Sequence, residues 1–121
     1  MNQPCYVAVW NTSRQVYLAT RAEVADSFVR RGIGLIGRAD WSRSDGLVIR
    51  PCRSIHTFFM RLPIDVVHVG GDGTVCHVVP TLRPWRPGPI VLRSQCVIEL
   101  PAGTVERTGT QVGDLLVVES L

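Results

Sequence analysis

Short runs of alternating apolar and polar residues recur along the chain and predict a protein built mainly from β-strands. Turn-forming residues separate these runs, and few stretches show the longer period of an amphipathic helix. The pattern favours a sheet of six to eight short strands. The predicted strands occupy residues 5–10, 16–19, 47–50, 64–69, 74–79, 90–93, 96–100 and 115–118.

The clearest feature of this pattern is a hairpin formed by residues 64–69 and 74–79. An Asp-Gly pair lies between the two runs and is typical of a two-residue β-turn. In the register that this turn predicts, His68 faces His77, and both share one face of the sheet with Val75. The hairpin therefore predicts two neighbouring histidines on one surface.

Two short helices complete the predicted fold. The spacing of Thr20 and Glu23 is that of a capping box, which predicts a helix that ends near residue 31. A second helix is predicted over residues 102–108, because Gly109 follows it as a stop. The 121 residues are thus predicted to form one α+β domain with a mostly antiparallel, barrel-like β-sheet.

Composition is that of an ordinary folded domain, with 45% hydrophobic and 19% charged residues and no apolar run long enough to span a membrane. The first residues lack the basic start and apolar core of a leader, so we expect a cytoplasmic protein. The net charge is +3 and all 13 basic residues are arginine, which indicates either biased residue usage or the recognition of anions. The arginines form no stripe interleaved with aromatic residues, so nucleic acid is not an expected partner.

The four cysteines, Cys5, Cys52, Cys76 and Cys96, are too far apart in sequence for a CxxC motif. We expect buried free thiols rather than disulfides or a zinc site. Cys52 could act as a nucleophile if His56, four residues later, lay beside it as a base. In the alternative interpretation Cys52 is a small buried residue.

Four segments of the chain resemble, in order, domain-of-unknown-function family 192, an uncharacterised family of prokaryotic proteins. They are RRGIGLIGR, GLVIRPCRSIHTFFMRLPIDVVHV, LRPWR and CVIELPAGTVERTGTQVGD, and the resemblance spans about residues 14–118. It implies a compact single domain of mainly β structure and supplies no activity. Some family members look exported or membrane-tethered, and others are encoded beside pilus and secretion genes, a weak hint of partners. His68 and His77 do not belong to the family pattern.

Residues 51–65 hold the densest group of side chains that could carry chemistry, and the family motif centres on them. We expect a pocket near His56 and Asp65 that holds a small polar or anionic group, or a segment of a partner protein. A hydrolytic enzyme is the alternative, with His56 and Asp65, or Cys52, as its catalytic groups. In a purely structural interpretation, His56 caps backbone groups and Asp65 accepts hydrogen bonds at the start of a strand. The candidate pocket residues are Cys52, His56, Thr57, Met60, Arg61, Asp65, Trp85 and Arg86.

The facing pair of His68 and His77 supports a third alternative, a metal-binding protein, because two histidines on one hairpin face are half of a metal site. Cys76 points to the opposite face and cannot complete that site. The competing interpretation is two exposed or partly exposed histidines on a solvated face. We therefore expect no metal and no other cofactor.

Overall fold

The computed structural model describes residues 5–25, 41–58 and 60–121. These residues form seven strands and one short helix. The predicted helix beyond residue 25 and the segment RRGIGLIGR lie outside the described residues. The elements are β1 (Cys5–Asn11), β2 (Val16–Ala25), β3 (Gly46–Ile49), β4 (Ile64–Val69), β5 (Val75–Leu82), β6 (Cys96–Pro101), α1 (Thr104–Thr108) and β7 (Leu116–Ser120).

The strands form a single mixed sheet with the spatial order β5-β4-β6-β3-β2-β1-β7. Two hairpins, β1–β2 and β4–β5, lie on either side of a centre made by β3 and β6. β2 and β3 are parallel, and the other neighbouring pairs are antiparallel. The prediction of a mostly antiparallel sheet of six to eight strands is confirmed, whereas the α+β class with two helices is not, because the described residues are mostly β with one short helix.

The sheet curls into a half-barrel, because its two edges approach each other at one corner. An isolated bridge joins Thr74, just before β5, to Leu115, just before β7. The amide of Leu116 donates to the carbonyl of Gly73 at 2.9 Å, and the amide of Val75 donates to the carbonyl of Asp114 at 2.8 Å. These bonds give the two edge strands partners at this corner.

Apolar side chains cover both faces of the sheet and form two cores. The inner core joins residues of β5 and β7, such as Val75 and Leu116, and therefore fills the concave side. The outer core packs strand residues such as Ile49 and Ile64 against the loop of residues 51–60. β4 and β6 are buried on both faces and are therefore mostly apolar without a clear alternation, with Asp65, His68 and Glu99 as their buried polar residues. The loop of residues 51–60 therefore covers the convex side of the sheet.

The prediction of a helix starting at Thr20 is wrong for the described residues, since β2 continues to Ala25. The local capping signal is outweighed by hydrogen bonding on both sides, because β2 pairs with β1 and with β3. The carboxylate of Asp45 further fixes this strand by accepting bonds from the amides of Thr20 and Arg21, at 2.7 and 2.8 Å. Consequently α1 is the one helix that the described part of the chain contains.

The helix α1 begins after Gly103 and ends at Gly109, whose left-handed conformation (φ +70°) lets its amide bond the carbonyls of Val105 and Glu106. The predicted strand over residues 90–93 is not formed. The amide of Val91 instead donates to Arg53 at 2.9 Å and so belongs to a loop–loop contact. The second helix is confirmed, and the short edge strand is wrong.

The predicted pairing of His68 with His77 across the central hairpin is confirmed. An irregularity follows, so that Val69 faces Val75 rather than Cys76. This shift places Val75 in the inner core, on the opposite face from His68, and the predicted shared face of Val75 and the histidines is wrong.

Candidate functional site

The loop of residues 51–60 is held by a ladder of backbone hydrogen bonds to the connection between β5 and β6. The amide of Gly88 donates to the carbonyl of Ile55, and the amide of Thr57 donates to the carbonyl of Arg86, each at 2.8 Å. The amide of Trp85 donates to the carbonyl of Thr57 at 2.9 Å. Two segments that are irregular on their own thereby satisfy each other's polar groups and become one rigid layer.

Thr57 is the buried centre of this layer. Its side chain is 0% exposed, and its hydroxyl donates to the carbonyl of Arg83. The same oxygen accepts the amide of Arg86 at 2.9 Å. Both the donor and the acceptor capacity of the hydroxyl are used by the backbone of the Arg83–Arg86 turn. Thr57 therefore shapes that turn.

Asp65 is likewise buried, with 1% exposure, and its carboxylate bonds three backbone amides. One carboxylate oxygen accepts a hydrogen bond from the amide of Thr81 at 2.8 Å. The other oxygen accepts the amides of Gly103 at 3.1 Å and Val105 at 2.8 Å. Thr81 has a positive φ of +54°, and Gly103 lies at the start of α1. The structural interpretation of Asp65 as an acceptor at a strand start is confirmed, because it ties β4 to an irregular part of β5 and to the helix.

Cys52 and Met60 point into the outer core and are 8% and 5% exposed. The thiol of Cys52 donates to the carbonyl of Ser54 at 3.1 Å. None of the four cysteines forms a disulfide, as predicted, but the predicted burial holds only for Cys52, because Cys5 is exposed and Cys76 and Cys96 are half-buried. Burial of Cys52 matches the interpretation that it is a small core residue after Pro51.

His56 lies at the surface of the layer and is half-buried. Its Nδ1 accepts the amide of Phe58 at 3.1 Å, and the two rings stack with centroids 4.9 Å apart. The ring of Trp85 lies 6.3 Å from that of Phe58. We call these three side chains the aromatic surface. Phe58 is 37% exposed and Trp85 is 54% exposed.

Three exposed arginines lie close in sequence to the residues of this aromatic surface. Arg83 and Arg86 flank Trp85 in sequence, and Arg61 follows the loop; all three are exposed. A guanidinium nitrogen of Arg86 (Nη1) lies 3.5 Å from the carbonyl oxygen of Trp85. The arrangement combines flat apolar rings with positive charge, which suits a ligand with both properties.

The predicted pocket residues thus divide into two sets. No hydrogen bond or ion pair joins Asp65 to His56 within the described residues. The buried set consists of Cys52, Thr57, Met60 and Asp65, and the surface set consists of His56, Arg61, Trp85 and Arg86.

His68 is fully buried, at 0% exposure, and not on a solvated face as the competing interpretation required. Its Nδ1 lies 3.1 Å from the hydroxyl of Ser94, which donates to the carbonyl of Cys52 at 2.8 Å. Since that hydroxyl has a single proton, we assign Nδ1 of His68 as protonated. Burial, and then the charge of His77, lowers the pKa of His68 to about 4, so the ring is neutral near neutral pH.

The rings of His68 and His77 are 5.9 Å apart between centroids. Within residues 5–25, 41–58 and 60–121, no three His, Cys, Asp or Glu side chains are grouped to hold a metal ion. In the same ranges no helix has the length and apolar character needed to cross a membrane.

Sequence reasoning missed a cavity of about 710 Å³ at the far end of β4. Gly70 and Gly71 line it together with Arg50 and Arg93. Arg50 and Arg93 lie about forty residues apart, and the sheet brings them to one cavity.

Comparison with known proteins agrees with the architecture. The chain is 34% identical over 107 residues to a UPF0127 protein of Pyrococcus abyssi, covering 86% of this chain and 91% of that protein. It is 33% identical over 109 residues to a UPF0127 protein of Pyrococcus horikoshii, covering 86% and 92%.

A crystal structure of a proposed transcription regulator from Sinorhizobium meliloti superposes with a TM-score of 0.76 and 26% identity, covering 96% of this chain and 94% of that one. A protein of unknown function from Novosphingobium aromaticivorans superposes with a TM-score of 0.78 at 24% identity, covering 95% and 85%, and shares the fold. Residues 9–118 match the sequence profile of DUF192, which is described as "Uncharacterized ACR". The chain belongs to this family, domain of unknown function 192, as its motifs predicted.

Proposed function

We propose that the protein is a non-catalytic binding module and that the aromatic surface is its recognition site. The observation that carries the proposal is the conformation of Trp85. This large side chain is 54% exposed while its backbone has a positive φ of +64°. A tryptophan with that φ is strained by about 1–3 kcal/mol, and such strain clusters at functional sites.

The surrounding bonds explain how the strained conformation persists. The carbonyl of Thr57 holds the amide of Trp85, and the hydroxyl of Thr57 holds both ends of the turn that carries it. These contacts fix the backbone of the turn that carries the exposed indole. A turn that is ordered before binding loses little entropy on binding, which favours a role in recognition.

The chemistry of the site supports one class of ligand. Flat rings of Trp85 and Phe58 offer stacking area, and the guanidinium groups of Arg61, Arg83 and Arg86 attract carboxylates or phosphates. We therefore propose a ligand, or a segment of a partner protein, that carries a negative charge beside a flat or apolar group. In this proposal, the binding site that we expected as a pocket near His56 is an open surface.

The hydrolytic alternative has less support. The carboxylate of Asp65 is occupied by three amides, and the hydroxyl of Thr57 by the backbone. The thiol of Cys52 is buried and bonded to Ser54. A hydrolase needs a nucleophile and a base that can reach a substrate, and these groups are engaged in the fold.

The metal-binding alternative would use His68 and His77. Within the described residues no third His, Cys, Asp or Glu side chain is grouped with the pair, so this alternative has no complete ligand set. A cytoplasmic location and a link to pilus or secretion proteins stay proposals that rest on the sequence alone.

A thermal-shift screen tests the proposed function. Probes are benzoate, phenyl phosphate, an acidic peptide with one aromatic residue, and a DNA duplex, the last because the Sinorhizobium meliloti relative is described as a proposed transcription regulator. A ligand at about 100 times its Kd stabilises by about 2.7 kcal/mol, which raises Tm by several degrees.

The screen uses wild type, Trp85→Ala, His56→Ala and a matched control, Leu92→Ala. Leu92 is 75% exposed in the same connection, so its truncation also removes exposed apolar area. A shift that is lost in Trp85→Ala and kept in Leu92→Ala supports the proposal. A shift that survives in Trp85→Ala shows that the aromatic surface is not the site.

A further inference from the structure

We infer that the 710 Å³ cavity at the far end of β4 is a second binding site, which takes an organic anion with an apolar tail. It is separate from the aromatic surface, since none of the side chains of that surface lines it. Its volume is within the range of small-molecule sites, about 300–1,000 Å³.

The cavity has an apolar floor. Ile98 of β6 and Leu116 of β7 line it and belong to the inner core, at 0% and 5% exposure. Val69 and the half-buried Val118 complete the apolar wall. The curl of the sheet leaves space between β6 and β7 that these side chains do not fill. An aliphatic or aromatic tail would bury its surface there.

The mouth of the cavity is positively charged. Arg50 and Arg93 are exposed, whereas the floor residues are buried, so the arginines lie at the opening. Within the described residues neither guanidinium forms an ion pair or donates a hydrogen bond. Two arginines that form no ion pair with a described carboxylate, beside an apolar cavity, favour an anionic headgroup, because a guanidinium bonds carboxylates and phosphates with two parallel N–H donors.

Two nearby groups limit what the site can do. Asp72 lies within electrostatic range of Arg93, and its pKa is lowered mainly by the amide of Thr74 and in part by Arg93. Its carboxylate accepts that amide at 3.0 Å, outside the lining of the cavity. Cys96 lines the cavity, and burial raises its pKa to about 11, so it stays a neutral thiol. The site is therefore one for binding, without a nucleophile.

The occupant follows from these features. The headgroup is a carboxylate or a phosphate monoester, and the tail is long enough to reach Ile98 from the arginines. A short anion would gain only the exposed contacts at the mouth, and a neutral or cationic amphiphile would gain only the apolar ones.

Isothermal titration of the full chain tests the inference. The ligands are octanoate and octyl phosphate, which distinguish the two headgroups, and the comparison compounds are acetate, inorganic phosphate, octanol and octylamine. We expect binding of at least one tailed anion. We expect Arg50→Ala and Arg93→Ala each to weaken it by about tenfold or more, the loss typical of one charge-assisted hydrogen bond.

Arg107→Ala is the matched control, since Arg107 is exposed on α1 and does not line the cavity. Val118→Phe fills the cavity and is expected to abolish binding, while both arginine variants keep the apolar wall intact. Trp85→Ala is expected to bind as wild type does, which separates this site from the proposed recognition site.

The inference is overturned if neither tailed anion binds at millimolar concentration, or if octanol binds as tightly as the tailed anions do. It is also overturned if both arginine variants bind the tailed anion with the affinity of wild type. Loss of binding in Trp85→Ala would also overturn it, because it would assign the ligand to the aromatic surface.

Discussion

The backbone carbonyl of Thr57 accepts a hydrogen bond from the amide of Trp85 at 2.9 Å. This bond joins a fully buried residue of the loop 51–60 to a tryptophan that is 54% exposed. The two residues lie 28 positions apart in the chain. Because the hydroxyl of Thr57 also holds Arg83 and Arg86, a single side chain determines the shape of the turn that presents Trp85. The proposed recognition site therefore depends on the buried Thr57.

Replacement of Thr57 by valine tests this dependence. Valine has nearly the same shape but leaves the carbonyl of Arg83 and the amide of Arg86 without their partner. We expect the free energy of unfolding to fall by about 1–3 kcal/mol in urea denaturation. Thr12→Val, at an exposed position, is the control and should change stability by less than about 0.5 kcal/mol. Equal stability of Thr57→Val and wild type would refute the assigned role.

Asp65→Asn tests whether Asp65 stabilises the fold rather than acting on a ligand. Asparagine keeps one acceptor oxygen, so part of the set of bonds to Thr81, Gly103 and Val105 is lost. We expect a loss of about 2–4 kcal/mol in the free energy of unfolding, measured in urea.

The control for Asp65 is Asp72→Asn, because Asp72 also accepts a backbone amide, from Thr74, but is exposed. It should lose less than about 0.5 kcal/mol. If Asp65→Asn kept full stability and lost ligand binding, Asp65 would be a site residue.

The buried His68 predicts a specific dependence of stability on pH. Its pKa is about 4 in the folded protein, lowered by burial and by His77, and near 6.5 when unfolded. Between these values the unfolded chain binds more protons, so stability falls as the pH drops from about 6.5 to about 4 and this contribution is constant below. The expected loss is up to about 3 kcal/mol.

His68→Phe removes the titrating group while keeping a ring in the core. Chemical denaturation of both proteins from pH 7 to pH 4 isolates the contribution of His68, since carboxylates such as Asp114 titrate in both. The stability of wild type should fall more steeply than that of the variant. Parallel curves would show that His68 does not titrate in this range.

Cysteine reactivity provides a fourth prediction, directed at the hydrolytic alternative. Cys5 is exposed, whereas Cys52 is buried and bonded to Ser54. Burial raises the pKa of Cys76, and raises that of Cys96 to about 11. We expect iodoacetamide at pH 7.5 to label Cys5 first, as read by mass spectrometry, and Cys52 only after unfolding. Rapid labelling of Cys52 in the native protein would reopen a nucleophilic role.

Local signals in the sequence were enough to predict the central hairpin. The Asp-Gly turn joins two apolar runs directly, so the pairing of His68 with His77 needed no distant information. The failure at Thr20 has the opposite cause, because the capping signal is local and the competing bonds come from β1 and from β3, which follows 20 residues later. Long-range pairing of this kind overrides propensity.

The same reasoning explains what could be predicted of the site. Residue types alone singled out the loop and Trp85 as candidates, but they did not predict that Trp85 is exposed or which side chains bond the backbone of the fold. The three amides that bond Asp65 come from residues 16 to 40 positions away. The burial of His68 depends on Ser94 and on the loop that contains Cys52. These partners become neighbours only through the curled sheet.

The central claim, that Trp85 is the recognition residue, is tested most directly by the indole N–H resonances. The chain has three tryptophans, so a ¹H–¹⁵N spectrum shows three indole signals, and Trp85→Phe identifies one of them. On titration with the strongest binder from the thermal-shift screen, we predict that the Trp85 signal shifts and those of Trp10 and Trp41 stay in place. A shift of Trp10 or Trp41 with an unmoved Trp85 signal would contradict the claim.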